Sequence, residues 1–204
     1  MARASRWSID WKRATETLRV LEPDEAQVLA LAPQLASYYN DPHNRAMMAH
    51  TQEMSIADVI EHYALLRAEQ GRPLMLFAAG RLVGDADLRG IGGGRAELAI
   101  MIGDRALQGR GLGTAFGVMA HALAFQRLGL ARTCVSILPE NTASRRLFER
   151  LGYVLDDSPA ARAIADEPTD ITMSLDRARF TKTFAASLAE LAFYDTSGSG
   201  SLGR

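Results

Sequence analysis

Gln108-Gly109-Arg110-Gly111-Leu112-Gly113-Thr114 is the stretch on which the reading of this chain turns. An apolar run, Ala96-Glu97-Leu98-Ala99-Ile100-Met101-Ile102, stands before it. Leu112, Phe116, Met119 and Leu123 follow at steps of four, three and four, which is helical spacing that ends at Gly129. The local order is therefore strand, short loop and glycine-rich helix start. The first N–H groups of a helix have no intrahelical acceptor, and the helix dipole places partial positive charge there. Glycines keep side chains out of the way. The sum is an anion cradle suited to phosphate, to which Thr114 adds a hydroxyl. A P-loop is excluded because no Gly-Lys-Ser/Thr occurs, and the dinucleotide fingerprint fails on glycine spacing and on its missing acidic partner.

Outward from the cradle, Thr15 to Leu21 reads as a strand, and Glu22-Pro23-Asp24 opens a helix with Pro33 expected to kink or split it. Asn40 to Met54 reads as loop. A second helix starts at Ser55, paired with Asp58 as a cap, and stops at Gly71. Leu74 to Ala79 and Leu82 to Leu88 form a hairpin about Gly80-Arg81, and Gly90 to Gly94 is a glycine-rich connection. After the cradle helix, Ala131 to Leu138 is an apolar interior strand. Asn141 caps Thr142 to Leu151, Gly152 closes it, and Tyr153 to Leu155 and Ile171 to Leu175 are strands flanking a polar loop. The fold class is α/β, a mixed layered domain of sheet and helices. Residues 1–12 are read as an arm, 13–176 as the domain, 177–195 as an added C-terminal helix for packing or homodimer contact, and 196–204 as a flexible tail.

With 204 residues, one domain with a substantial core is expected. The net charge of −1, with both signs interspersed, gives no case for a nucleic-acid partner. Cys134 is the single cysteine, and in its apolar strand it reads as a buried thiol. There is no secretory h-region and no apolar run of membrane-spanning length, so a cytoplasmic, membrane-free protein is expected.

Gln108, Gly111 and Gly113 fill the fixed positions of Q/R-x-x-G-x-G/A, and the pattern resembles that motif of the GNAT superfamily of acyl-CoA N-acyltransferases. Asn141-Thr142-Ala143-Ser144-Arg145-Arg146-Leu147-Phe148-Glu149-Arg150-Leu151-Gly152-Tyr153 resembles the family's second motif, N-x-x-S-x-R/K-x-x-E-x-x-G-F/Y. Glu97 lies eleven residues before Gln108, where many members carry a strand glutamate. The order of elements from Thr15 to Leu175 agrees, and the branch it looks most like is that of ribosomal-protein N-terminal and spermidine acetyltransferases.

The resemblance implies an N-acetyltransferase that moves acetyl from acetyl-CoA, without a metal, to a primary amine, either a protein N-terminus or peptide or a small molecule, by direct attack on the thioester. It implies pyrophosphate on Gln108, Gly109, Arg110, Gly111, Leu112, Gly113 and Thr114, and pantetheine along Ile100, Met101 and Ile102, splayed from the Cys134 strand. Asn141 and Ser144 would meet the pantetheine arm or the reacting site. Arg146, with Arg105, Arg110 and Arg145, is available to the ribose phosphate. Glu97 is the expected base, since a carboxyl on an apolar strand gains proton affinity by desolvation. His43, His50 and Glu53 would touch the acceptor. Phe148 stands where many members place an acidic tyrosine, which leaves Ser144, Tyr153 or water to protonate the thiolate, or no acid at all. The alternative function is a catalytically degenerate CoA-binding module.

Overall fold

Trp7, Ile9 and Trp11 alternate with Ser8 and Asp10, the period of a strand. In the computed structural model, which describes residues 5–48, 52–165 and 167–197, Trp7–Lys12 is accordingly strand β1. This corrects the expected arm. In chain order there follow β2 (Thr17–Leu21), α1 (Glu25–Tyr39), α2 (Pro42–Met47), α3 (Ile56–Ala68), β3 (Arg72–Ala78), β4 (Arg81–Gly92) and β5 (Arg95–Ile102). Next come α4 (Leu112–Ala122), continued by a π-helical turn over Leu123–Arg127, then β6 (Arg132–Ile137), α5 (Thr142–Leu151), β7 (Val154–Leu155) and α6 (Pro159–Arg162). The chain finishes with β8 (Ile171–Asp176), α7 (Arg177–Thr183), α8 (Ala185–Ala189) and β9 (Leu191–Asp195).

The strands form one sheet in the order β7-β8-β6-β5-β4-β3-β2-β1-β9. Every pairing is antiparallel except β5 with β6. One face packs α4 through Phe116, Met119 and Leu123 onto Leu18, Leu74, Leu88 and Leu98. The other packs α1 and α3 through Leu35, Val59 and Tyr63 onto Met75 and Leu82. Capping boxes start both of these helices, Asp24 with Gln27 and Ser55 with Asp58, each worth about 1 kcal/mol.

Three expectations are corrected. The C-terminal helix is two short helices, and Leu191–Asp195 is the edge strand β9, antiparallel to β1. Arg127 lies over the rings of Trp7 (5.0 Å) and Phe193 (4.2 Å) and Trp11 Nε1 donates to Glu190 Oε2 at 2.8 Å, so residues distant in sequence fix this edge. Phe180, Phe184 and Leu188 pack on the main core, so the segment is used for packing on the domain. Thr196 and Ser197, expected to open the tail, are tied back: Thr196 N–H donates to Arg6 O (2.8 Å) and Arg6 N–H to Ser197 Oγ (2.9 Å). Pro33 leaves α1 unbroken because it sits, like Leu29, on the solvent side, where the carbonyl it deprives of a donor meets water. Among the described residues no helix is long and apolar enough to cross a membrane.

Candidate active site

The register of β5 and β6 defines the site. They pair at Arg95 with Arg132, Ala96 with Thr133 and Glu97 with Cys134, and no further. Beyond Glu97 the strands part, so Leu98 to Ile102 keeps its ladder to β4 on one side and presents a free edge to the gap. The apolar set Leu98, Ile100 and Ile102 belongs to the α4 face. Glu97, Ala99 and Met101, one step out of phase, belong to the α1–α3 face. A cavity of about 540 Å³ runs along the gap and is lined from both faces, by Leu98, Ile100, Ile137 and Phe148 and by Asp85, Asp87, Glu97 and Ser136.

On the α4 side the cradle has the expected form. Gly109 and Gly111 have φ of +74° and +82°, a region that L side chains avoid. A Cβ at either would meet no protein atom within 4 Å. Gly111 is the N-cap of α4 and supplies no side-chain cap, so the first amides of the helix remain for a ligand. The Gln108 side chain is engaged within the protein: its Nε2 donates to Ile102 O (2.7 Å) and Asn44 Oδ1 (2.9 Å). It pins the loop to the end of β5 and to α2. Asn44 in turn donates to Tyr38 O and Gly103 O. Arg105 bonds Gln108, and Arg145 pairs with Glu149 at 2.9 Å. Among the described residues Arg110 and Arg146 have no ion pair and are exposed.

Asn141 caps α5 by accepting from Ser144 N–H (2.9 Å) and donates to Met47 O (2.9 Å). Pro42–Met47 is a helix where loop was expected, with Asp41 as its N-cap and its last carbonyl bonded by Asn141. Asn141, Ser144, Met47 and Met48 all line the cavity. His43 and Glu53 do not. His43 is exposed in the first turn of α2, and Glu53 pairs with Arg45 at 3.4 Å. His50 lies outside the described residues. Among its described residues, the segment meets the cavity through Met47 and Met48.

Glu97 lies on the cavity wall, as the position implied, but its carboxylate is engaged with Arg89 Nη2 at 2.6 Å. The sequence reading missed its neighbours. Asp85 and Asp87 on β4 share its face, opposite Met101 and Ala99. Asp85 accepts from the hydroxyls of Tyr39 and Tyr63, and burial raises its pKa to about 6 against those bonds. Asp87 is raised to about 7, chiefly by burial and opposed by Arg89, and its Oδ1 has no hydrogen-bond partner. His62, Glu167 and Asp170 complete this side.

Tyr153 is withdrawn from the chemistry. Its hydroxyl is buried between His121 Nε2 (2.7 Å) and Thr133 Oγ1 (2.8 Å), on the α4 face, and burial drives its pKa up. His121 is held neutral, its pKa lowered to about 4 by burial. Phe148 packs edge-on against Tyr153. Of the two candidate acids, Ser144 and Tyr153, Ser144 lines the cavity.

A family model described as acetyltransferase (GNAT) domain matches residues 17–154. The chain belongs to the GNAT acetyltransferase family. It is an acyl-CoA N-acyltransferase, and the cradle and the parted strands sit inside the matched GNAT segment. Solved structures share the fold. An aminoglycoside acetyltransferase, AAC(6')-Ib, in complex with coenzyme A and kanamycin is 20% identical with a TM-score of 0.66, covering 81% of this chain and 98% of that one. RimJ of Mycobacterium smegmatis in complex with CoA-disulfide is 15% identical with a TM-score of 0.68, covering 90% and 95%. Spermidine N-acetyltransferase of Vibrio cholerae in complex with CoA and spermine is 17% identical with a TM-score of 0.64, covering 80% and 97%. No curated protein matches the sequence significantly. Among the described residues no group of three metal-ligating side chains is assembled in this GNAT domain.

Proposed function

We propose that the protein acetylates a small-molecule amine from acetyl-CoA by direct transfer, with the two substrates entering from opposite faces of the sheet. The observation that carries this reading is the parting of β5 and β6 at Glu97 and Cys134. It joins the glycine cradle on one face to a carboxylate-lined wall on the other. The amides from Gly109 to Thr114 hold the pyrophosphate, Arg110 and Arg146 are free for the ribose phosphate, and the open edge at Ile100, Met101 and Ile102 pairs with the pantetheine amides.

An ammonium drawn to the acidic wall must lose a proton before it can attack. Asp87 takes that role in place of Glu97. It has an oxygen with no donor and an affinity for protons near neutrality, whereas Glu97 is held by Arg89. A general base works best with a pKa near the working pH. The neutral nitrogen then attacks the thioester carbon, and a backbone N–H near Met101 stabilises the charge on its oxygen. As the C–S bond breaks, the nitrogen gives up its second proton and Ser144 or water relays it to the thiolate, whose ordinary pKa near ~8.5 makes the demand on an acid small.

The test is thiol release from acetyl-CoA over a panel of amines, with product mass as the second readout. Acetylated amine and free thiol in equal amounts are expected. Thiol release that does not depend on amine would sink the reading.

A further inference from the structure

The wall opposite the cradle carries more negative charge than proton transfer requires. Asp85, Asp87, Glu97, Glu167 and Asp170 line the cavity against one arginine, Arg89. Two of these carboxylates are incompletely bonded. Among the described residues three buried side-chain polar atoms lack a partner, and two of them are Asp87 Oδ1 and Asp170 Oδ1.

Each is fixed in place by what surrounds it. Asp170 is 5% exposed and Asp87 8%. Asp170 Oδ2 accepts from Ser136 Oγ (2.9 Å) and Glu167 N–H (3.2 Å), which leaves Oδ1 alone. Arg162 spends its guanidinium on the main-chain carbonyls of Asp170 and Pro168. Arg89 Nε stands 4.0 Å from Asp87 Oδ1, an ion pair beyond hydrogen-bond reach. A buried carboxylate oxygen without a donor is costly and calls for a cation.

The two oxygens cannot be served by one ammonium. Asp87 lies on β4 and Asp170 at the start of β8, with β5 and β6 between them. Three regular strand spacings would separate their backbones by roughly 14 Å, and the parting of β5 from β6 adds to it. The face they share is set by register: Asp87 is opposite Ala99, and Ser136, which Asp170 bonds, is in phase with Cys134 and Glu97.

We infer that the acceptor carries at least two cationic nitrogens on an extended aliphatic frame, one delivered to Asp87 in the gap and another held by Asp170, with Glu167 at the mouth. This rests on the acyl-transfer reading of the same cavity and specifies its acceptor as a polycation rather than a peptide N-terminus with one charge. The frame needed is a long diamine or a triamine, because short diamines cannot span from β4 to β8.

The experiment compares n-hexylamine, 1,3-diaminopropane, 1,8-diaminooctane and spermidine by amine-dependent thiol release, in wild type, Asp170→Asn and Glu167→Gln. The long diamine and the triamine are expected to exceed hexylamine in kcat/KM by roughly tenfold or more, the worth of one charge-assisted bond. The short diamine should fall between them. Both variants should shrink that ratio, and Glu167 is exposed, so its substitution does not threaten folding. Equal kcat/KM for all four amines would overturn the polycation assignment and leave the acetyltransferase reading standing. If no amine is turned over, the reaction reading fails, and calorimetric titration with spermidine decides the acceptor site. Binding weakened by Asp170→Asn would support it, and absence of binding would overturn it.

Discussion

Arg89 reaches across the β4–β5 ladder to Glu97 at 2.6 Å and leaves Asp87, two residues earlier on its own strand, at 4.0 Å. One guanidinium thus hydrogen-bonds one of two adjacent carboxylates and only approaches the other. That division predicts which of them handles the proton.

Asp87→Asn should lower kcat by roughly 10²- to 10⁴-fold, the usual contribution of a general base, while the calorimetric Kd for acetyl-CoA stays within error. Glu97→Gln should cost less. It removes a negative neighbour that raises the proton affinity of Asp87, so the acid limb of its rate profile should move to lower pH. Abolished turnover in Glu97→Gln with full activity in Asp87→Asn would return the role to Glu97.

The pH dependence follows from the same residue. A base acts when ionised, so kcat/KM should rise with pH through about 7. Stability runs the other way. The carboxyl titrates near ~3.9 when unfolded and near 7 when folded, so the native state holds the extra proton between those values. Its contribution is full at the acid end of that window and is lost as pH rises through 7. Asp85, raised to about 6, adds to the trend with the same sign. Thermal melts of wild type should therefore decline from pH 5 to pH 8. Asp87→Asn should decline less and melt higher than wild type at pH 8.

Gly111→Ala tests the cradle. The residue needs φ of +82°, which costs a non-glycine residue roughly 1–2 kcal/mol. The added methyl meets no protein atom and would project toward the ligand. A loss of acetyl-CoA affinity larger than the loss of stability, read by calorimetry against a denaturant melt, is the expected result.

Tyr153→Phe separates packing from chemistry. It leaves His121 and Thr133 short of a partner in the core and should destabilise by about 1–3 kcal/mol. The kcat per folded molecule should hold at a temperature well below the melt. A fall in kcat with an unchanged melt would restore the hydroxyl as an acid.

The frame of this site was legible because its signals are local. The positive-φ glycines, the Asn141 cap and the apolar phase of Leu98, Ile100 and Ile102 each act over a few residues. Asp85 and Asp87 were not legible, because alternating aspartates in Gly84-Asp85-Ala86-Asp87-Leu88 read as the wet side of a hairpin. Only the tyrosines of α1 and α3, docked from far along the chain, show that side to be dry. β1 and β9 escaped for a related reason: each is a strand only because the other, or β2, is beside it. Met47 and Met48 line the cavity at the end of α2, which is anchored through Asn44 and Asn141.

The three register pairs between β5 and β6 have a mechanical meaning as well. With the bonds from Ala131 and Arg132 N–H to Gly94 O, they form the main-chain seam between a leaf running from β9 to β5 and a leaf of β6, β8 and β7. Below that seam the edge amides of Leu98 to Ile102 are stitched on one side only. A chain laid into the gap would complete the missing rungs and lock the leaves together. Amide hydrogen exchange along Leu98–Ile102 should therefore slow on adding acetyl-CoA, while the β3–β4 ladder keeps its rates, making the first substrate a structural strand that sets the second substrate's wall.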